Sequence, residues 1–241
     1  MTIQEFPDHN TLSQYAAQHL AAIINRKPNA LLCLASGDTP IETYHRFVDL
    51  VQQERVDVSQ CLFVGLDEWV GFGPDDVGSC SYYVFRDLFT PLQLRPEQIH
   101  VFDAKANDLS AECARIDTII QSRGGLDVLL VGMGLNGHIA LNEPGTPFTL
   151  GCHVVELAES TKTVGQKYFT QETTLNQGIT LGLRHLTEAH EVILLVSGAK
   201  KATILRDALR GPVSEQVPAS ILQTQPQAQI WIDEAAGSLL A

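Results

Sequence analysis

The residues best suited to proton transfer follow a single apolar run. Asp127–Gly132 is rich in Val and Leu, as buried parallel strands are, and Asn136, His138 and Glu143 come shortly after it. Ligands of open α/β sheets bind beyond the carboxyl ends of such strands. An imidazole and a carboxylate placed there could move protons near neutral pH. The alternative is a core histidine satisfied by its neighbours, but the surrounding glycines favour close approach of a ligand: Gly134, Gly137 and Gly145.

A second candidate is the pair Asp67 and Glu68, directly after the strand-like run Cys61–Leu66. A partly desolvated carboxylate at the end of a buried strand has a pKa closer to the working range, and Asp67 could then act as a general base. The alternative is that the pair caps a turn or a helix.

A third candidate is the turn Ser36, Gly37, Asp38, Thr39 between a predicted strand and a helix that begins near Pro40. Backbone N–H groups at a helix N-terminus favour an anion such as phosphate. The alternative is a plain turn in which Thr39 caps the helix. The turn is neither a Walker loop nor a Gly-x-Gly-x-x-Gly motif, so nucleotide binding is unsupported.

Lys201 and Lys167 are candidate cations for a phosphate, although surface lysines are common. The histidines show no metal-ligand spacing, and His153 beside Cys152 has no second pair, so we expect no metal. The five cysteines are odd in number and scattered, which favours free thiols in the reducing cytoplasm.

Apolar runs alternate with segments of helical periodicity, which predicts a doubly wound, mainly parallel open sheet with helices on both faces. The predicted strands are Ala30–Ala35, Cys61–Leu66, Asp127–Gly132, Val192–Val196 and Ala228–Ile232. The predicted helices are Thr11–Arg26, with Asn10 or Thr11 as its cap, Ile41–Glu54, Ser81–Phe89, Leu109–Arg123 and Lys200–Leu209. With no linker or repeat, we expect one domain over residues 1–241.

The formal net charge of -12 argues against a nucleic-acid partner. No apolar stretch approaches the roughly 18 residues of a membrane span, and the N-terminus does not resemble a secretory signal, so we expect no membrane partner.

Four motifs occur in the order found in amino-sugar-phosphate isomerases and deaminases: Ser-Gly-Asp-Thr-Pro, Leu-Asp-Glu-Trp-Val, Gly-Leu-Asn-Gly-His-Ile-Ala-Leu-Asn-Glu-Pro-Gly and Gly-Ile-Thr-Leu-Gly-Leu. Along nearly its whole length the chain resembles the glucosamine-6-phosphate deaminase family, in detail its galactosamine-6-phosphate branch. The resemblance implies a Rossmann-like sheet and an amino-sugar 6-phosphate substrate. It also implies a ketohexose 6-phosphate and ammonium as products, with neither cofactor nor metal.

The resemblance also implies roles for the candidate residues. His138 would open the pyranose ring with Glu143 as its partner, and Asp67 would move the C2 proton to C1. Ser36, Gly37, Asp38 and Thr39 would hold the phosphate through backbone groups, with Gly137, Lys167 and Lys201 completing the substrate contacts.

Two residues depart from the family pattern. Asn136 occupies a position that is aspartate in some members, so Glu143 would carry more of the charge balance for His138. Asp38 replaces a small residue, and its carboxylate would have to point away from a bound phosphate.

Two other functions remain as alternatives. A 6-phosphogluconolactonase would share the Gly-x-x-Gly-His core but would lack Asn142-Glu143-Pro144. A sugar-phosphate sensor without catalysis would need a DNA-binding segment, for which the roughly ten residues before the first helix leave no room. The sugar configuration at C4 and the oligomeric state, including a possible homo-oligomer, stay open.

Overall fold

A computed structural model describes residues 1–240, in which two sheets are surrounded by helices. The strands are β1 Thr2–Phe6, β2 Leu31–Leu34, β3 Leu62–Val64, β4 Asp67–Trp69, β5 Ile99–His100, β6 Val128–Val131, β7 His153–Glu156, β8 Gln177–Thr180, β9 Val192–Val196 and β10 Ala228–Asp233. The α-helices are α1 His9–Arg26, α2 Ile41–Gln52, α3 Cys80–Val84, α4 Leu109–Ser122, α5 Glu159–Gly165, α6 Leu183–Glu188, α7 Ala202–Arg210 and α8 Glu234–Gly237.

The larger sheet has seven strands in the order β1-β10-β9-β6-β2-β3-β5, and every neighbouring pair is parallel. Alternate residues of each central strand face opposite sides, as the pleat requires. Val128 and Leu130 of β6 pack in the cluster with α1 and α2, whereas Leu129 and Val131 pack with α4, α6 and α7. The predicted doubly wound sheet with helices on both faces is therefore confirmed.

The chain reverses its direction of travel across this sheet between β2 and β6. From β2 it proceeds to β3 and β5, and then it returns to the other side of β2 to form β6, β9 and β10. Open α/β sheets bind ligands at such a switch point, beyond the carboxyl ends of the strands.

The second sheet was not predicted. It is antiparallel, in the order β4-β8-β7, with Asp67 opposite Thr180 and Trp69 opposite Gly178. The predicted strand Cys61–Leu66 is thus shorter, since β3 ends at Val64 and Asp67 begins a new strand. A Cβ at Gly178 would overlap the side chain of Leu141, so glycine at this position lets the second sheet pack against the loop that follows β6.

Several boundaries differ from the sequence-based expectation for local reasons. Helix α1 is capped by Asp8, whose Oδ1 accepts from the N–H of Thr11 at 2.7 Å, and not by Asn10 or Thr11. The polar strand β1 was missed because as an edge strand it buries only Phe6. The predicted helix Ser81–Phe89 is α-helical to Val84 and π-helical over Phe85–Phe89.

Among the helices of residues 1–240, none has both the length and the apolar character needed to cross a lipid bilayer. The expectation of one domain over residues 1–241 stays a prediction.

Burial in the central strand β6 supports the loop that carries His138. We expect Leu130→Ala, at a fully buried position, to lower the free energy of unfolding by about 2–5 kcal/mol, because the substitution leaves a cavity between β6 and the α1–α2 layer. Urea denaturation would measure the loss. The control is Leu239→Ala, whose side chain is 45% exposed and which should change stability by at most about 0.5 kcal/mol. A similar loss in both variants would contradict the expectation.

Candidate active site

The predicted site residues follow the carboxyl ends of four neighbouring strands. In the order β3-β2-β6-β9, these ends lead to Asp67, to the turn Ser36–Thr39, to His138 and to Lys201. All four strands are parallel, so their carboxyl ends meet at one edge of the sheet, around the switch point between β2 and β6. The fold thereby brings segments that are distant in sequence to a single edge.

The ring of His138 packs against the backbone of Gly134. The N–H of Gly134 donates to the carbonyl of His138 at 2.9 Å, and a Cβ at position 134 would overlap the imidazole. Gly137 has φ 85°, a left-handed conformation that side chains rarely adopt, and a Cβ there would approach Cγ1 of Val217 to 2.9 Å. Gly134 thus makes room for the imidazole and Gly137 for Val217, so protein side chains occupy the space at these two glycines, where close approach of a ligand was expected.

His138 shares a polar cluster with Glu143 and Asn136. Nδ1 of His138 lies 3.5 Å from Oε2 of Glu143 and 3.3 Å from the hydroxyl of Thr161 on α5. Asn136 donates to Oε2 of Glu143 at 2.8 Å, and its Oδ1 accepts from the backbone N–H of His138 at 3.1 Å. Asn136 therefore holds the main chain of His138 and the side chain of Glu143. Because Nδ1 is engaged in this cluster, Nε2 is the nitrogen left to face a ligand.

Glu143 is held in its charged form. Its side chain is almost fully buried, and burial alone would raise the pKa, but interactions with His138, Thr161 and Asn136 lower the pKa of Glu143 to about 2. The backbone N–H of Ala158 also donates to Oε1 at 3.1 Å. A carboxylate supported in this way keeps its charge at neutral pH and can balance a positive charge on the imidazole.

Asp67 has the opposite environment. Burial raises the pKa of Asp67 to about 7, and the charge of Glu68 acts in the same direction, although a hydrogen bond from the Cys80 thiol opposes the shift. Within residues 1–240, the buried Oδ1 of Asp67 has no hydrogen-bond partner. A carboxyl group with a pKa near neutrality can both accept and return a proton at low cost.

Glu68 anchors the strand that carries Asp67. Oε1 accepts from the backbone N–H groups of Trp69 and Cys80, both at 2.9 Å. Oε2 accepts from the N–H of Ser81 at 2.9 Å and also from its hydroxyl. This fully buried carboxylate joins β4 to the start of α3 and closes the loop between them. The sequence left open that this pair caps a turn or a helix. That role belongs to Glu68, which accepts from the N–H groups at the start of α3, and not to Asp67.

The turn Ser36–Thr39 presents unused backbone donors. Gly37 has φ 97°, and helix α2 starts after Pro40 with no side-chain cap, so the alternative in which Thr39 caps this helix is wrong. In the part of the chain described here, residues 1–240, the N–H groups of Ser36, Gly37, Asp38 and Thr39 donate to no protein acceptor. Unpaired donors at a helix N-terminus form a site for an anion.

Two lysines lie near this turn in different states. Lys167 donates to Oδ2 of Asp38 at 2.6 Å, and its ammonium also lies 4.6 Å from the ring centre of Tyr168. Lys201 is about half-buried and donates to the carbonyl of Met133. Burial and, to a smaller extent, the charge of Lys167 lower the pKa of Lys201. A phosphate between them would neutralise both lysines.

The open space lies mainly beside the turn. A cavity of about 280 Å³ is lined by Gly37, Asp38, Ile41, Tyr83, Arg86, Lys167 and Tyr168. A much smaller recess reaches Ser36 and Asp67. Of the predicted residues, Gly37, Asp38 and Lys167 line the cavity and Ser36 and Asp67 line the recess, whereas His138, Glu143 and Lys201 line neither.

Sequence reasoning missed one contributor to this site, Thr161, and the particular role of another, Glu68. Thr161 is 23 residues beyond His138, and nothing in its segment marks it as a partner of the ring. Glu68 was recognised only together with Asp67, and the groups that donate to its carboxylate become visible only when α3 is placed against β4. The sequence offers one signal for the different roles of Asp67 and Glu68. They are neighbours on a strand, so their side chains point to opposite faces.

Comparison with known proteins identifies the family. The chain belongs to the family described as glucosamine-6-phosphate isomerases/6-phosphogluconolactonase, whose model matches residues 8–231. It is therefore a member of an enzyme family.

Individual relatives are similar along their full length. A glucosamine-6-phosphate deaminase of Bacillus pumilus is 38% identical over 240 residues, which cover 99% of this chain and 100% of the relative. One from Thermoanaerobacter pseudethanolicus is 33% identical, covering 97% of this chain and 92% of the relative. A solved monomeric glucosamine-6-phosphate deaminase of the NagB superfamily has a TM-score of 0.95 at 36% identity, covering 99% of this chain and 100% of that protein.

The fold is also shared with lactonases. The 6-phosphogluconolactonase of Trypanosoma brucei has a TM-score of 0.72 at 20% identity, covering 100% of this chain and 98% of that one. At this identity the similarity concerns the fold alone.

We expect the carboxyl groups of Asp67 and Glu143 to have opposite effects on the stability of the fold. The folded-state pKa of Asp67 is raised from 3.8 to about 7, so its ionisation destabilises the fold increasingly as pH rises through that range and by a constant amount above it. We expect Asp67→Asn to be more stable than the wild type at pH 8 by on the order of 2 kcal/mol, with the difference shrinking towards pH 4.

Glu143→Gln supplies the matched comparison. The folded-state pKa of Glu143 is lowered from 4.5 to about 2, so its stabilising effect is complete above pH 4.5 and is lost as pH falls through this range. This variant should be less stable than the wild type at pH 8, again by on the order of 2 kcal/mol. Urea denaturation across pH would measure both, and the same sign for the two variants at pH 8 would contradict the assigned environments.

Proposed function

We propose that this protein is an amino-sugar-6-phosphate deaminase/isomerase. It would convert glucosamine 6-phosphate or galactosamine 6-phosphate to a ketohexose 6-phosphate and ammonium. The observation that carries the proposal is the meeting of Asp67, the Ser36–Thr39 turn, His138 with Glu143, and Lys201 at one sheet edge. Full-length similarity to glucosamine-6-phosphate deaminases supports it.

The phosphate would bind at the turn after β2. The free N–H groups of Ser36 to Thr39 would donate to its oxygens at the N-terminus of α2, while Lys201 and Lys167 would balance its charge. The Asp38 carboxylate faces Lys167 at 2.6 Å, so the backbone and not this side chain would contact the phosphate.

Ring opening would be the task of His138. Nε2 would take the proton of the anomeric hydroxyl and return it to the ring oxygen, giving the open-chain aldehyde. Glu143 and Thr161 at Nδ1 would orient the ring, and the charge of Glu143 would stabilise the imidazolium formed between the two transfers. Asn136 would keep this pair in place, and Gly137, whose φ of 85° suits glycine, would shape the turn that precedes His138.

Isomerisation would then need one base. Asp67 would abstract the C2 proton, forming an enol-type intermediate between C1 and C2, and would deliver the same proton to C1. The resulting 2-imine would react with water, releasing ammonium and the ketohexose 6-phosphate. A carboxyl group with a pKa of about 7 is close to balanced between the two transfers, which favours both at neutral pH.

Location and assembly form part of the same proposal. The five cysteines are unpaired thiols, which fits a reducing cytoplasm. A monomeric deaminase exists among the structural relatives, and a homo-oligomer of this chain stays a proposal that size-exclusion chromatography with light scattering would test.

The decisive experiment measures ammonium release from glucosamine 6-phosphate and galactosamine 6-phosphate, side by side without added metal. Release from either supports the proposal, and the ratio of kcat/KM assigns the sugar. Asp67→Asn should lower kcat by about 10²–10⁴-fold and abolish exchange of the C2 proton with solvent, whereas Asp75→Asn, on the exposed loop after β4, should not. Hydrolysis of 6-phosphogluconolactone without ammonium release would indicate the lactonase branch, and binding of either sugar phosphate without turnover would indicate a sensor.

The effect of substitution on KM can distinguish the role of Lys201 from that of its neighbour Lys200. We expect Lys201→Ala to raise KM about 10–100-fold with a smaller effect on kcat, since it removes a charge-assisted contact to a group remote from the reacting carbons. Lys200→Ala is the matched control because Lys200 is adjacent but exposed. Steady-state kinetics of both variants would measure the difference in KM. An unchanged KM for Lys201→Ala would place the phosphate elsewhere.

A further inference from the structure

Three metal-ligand side chains converge outside the candidate active site. Asp117 lies on α4, Cys152 directly precedes β7, and His185 lies on α6. One ligand atom of each lies within 4.8 Å of the other two. None of the three has a task in the proposed reaction. We propose that Asp117, Cys152 and His185 form a binding site for a zinc-type divalent cation.

The distances approach those around tetrahedral zinc. With Zn–N and Zn–S bonds of about 2.05 and 2.3 Å, tetrahedral angles place the nitrogen and sulfur about 3.5 Å apart, and nitrogen and carboxylate oxygen about 3.3 Å apart. Nε2 of His185 lies 3.6 Å from Sγ of Cys152 and 2.6 Å from Oδ1 of Asp117. The sulfur is at the required distance, and the carboxylate has to move away from the ring by about 0.7 Å.

The donor set selects the metal class. A thiolate, an imidazole and a carboxylate together suit Zn²⁺, and three protein ligands leave a fourth position for water. Asp117 and Cys152 are partly exposed, whereas His185 is buried. The cation can therefore enter from the solvent side of Asp117 and Cys152 and meet the imidazole at the inner end of the site.

Nearby contacts prepare the ligands. Oδ1 of Asp117 accepts from the backbone N–H of Cys152 at 3.1 Å, and Nη2 of Arg184 lies 3.5 Å from Oδ2. Arg184 thus holds one carboxylate oxygen while the other faces the site, as outer contacts of metal ligands do. Nε2 of His185 faces Cys152 and Asp117 and is therefore the nitrogen that would bind the cation, whereas the buried Nδ1 has no partner within residues 1–240.

Binding of the cation would release one proton from the protein. Binding forms the Zn–S, Zn–N and Zn–O bonds, and the Cys152 thiol releases its proton to solvent. The imidazole stays neutral, with its proton on Nδ1 in place of Nε2. The ordinary hydrogen-bonded arrangement, in which Asp117 merely receives Nε2–H of His185, makes no such release.

The site would brace the second sheet. It joins α4 and α6 to the start of β7, which pairs with β8, and β8 pairs with β4, where Asp67 lies. A cation that binds only the folded chain shifts the folding equilibrium towards the folded state.

The test is a titration of the chelator-treated, full-length protein with Co²⁺, which reports a thiolate ligand through sulfur-to-cobalt charge-transfer absorption. We expect this band to saturate at one Co²⁺ per chain with release of one thiol proton, and Zn²⁺ to remove the band by displacement. Saturating Zn²⁺ should raise Tm by a few degrees, on the order expected for a ligand that binds only the folded state.

Variants assign the ligands. Cys152→Ser should lose the charge-transfer band and weaken Co²⁺ binding at least about 100-fold, and Asp117→Asn should weaken it at least about tenfold. Cys113→Ser, which removes another thiol on α4, should keep the band. Absence of the band in the wild type, or its persistence in Cys152→Ser, would overturn the proposal and leave only the hydrogen-bonded arrangement.

Discussion

The site depends on one constraint of parallel sheets, namely that the chain must leave every strand at the same edge. At the switch point between β2 and β6, two neighbouring strands feed segments that diverge to opposite sides of the sheet. Over Ser36–Thr39 the backbone leaving β2 joins no strand or helix, and within residues 1–240 its N–H groups donate to no protein acceptor. An anion can satisfy these donors where protein groups do not. The unpaired backbone is thus a direct result of the topology.

At the same edge, two carboxyl groups are shifted in opposite directions. Glu143 is surrounded by donors and keeps its charge, whereas Asp67 has an unpartnered buried oxygen and a pKa near neutrality. Such a division assigns different tasks to chemically similar groups, one as a fixed charge and one as a proton carrier. Glu68 makes this possible, because its four accepted hydrogen bonds hold β4 in place and Asp67 needs no structural bonds of its own.

The sequence was informative where one local pattern carried both structure and chemistry. The run ending at Gly132 predicted β6, whereas the glycines around His138 predicted close approach of a ligand, and at Gly134 the imidazole itself occupies that space. The antiparallel sheet was missed because β4 is only three residues long and its pairing with β8 joins positions more than 100 residues apart. The same limit hid the cluster of Asp117, Cys152 and His185, since spacings of about 35 residues carry no ligand motif. Contacts of this kind arise only from packing.

The pair of Asp38 and Lys167 shows how a departure from the family pattern can be tolerated. A carboxylate in a phosphate-binding turn would repel the ligand, but Asp38 is directed to Lys167, and both side chains are largely exposed. Ion pairs so open to solvent contribute at most about 1 kcal/mol. A phosphate dianion can therefore compete for Lys167 at small cost, and Asp38 can turn to solvent without leaving a buried charge. Lys201 differs, because its burial and its bond to the Met133 carbonyl fix its position before any ligand binds. The fixed lysine can then define where the phosphate binds, while the exposed pair adjusts to it.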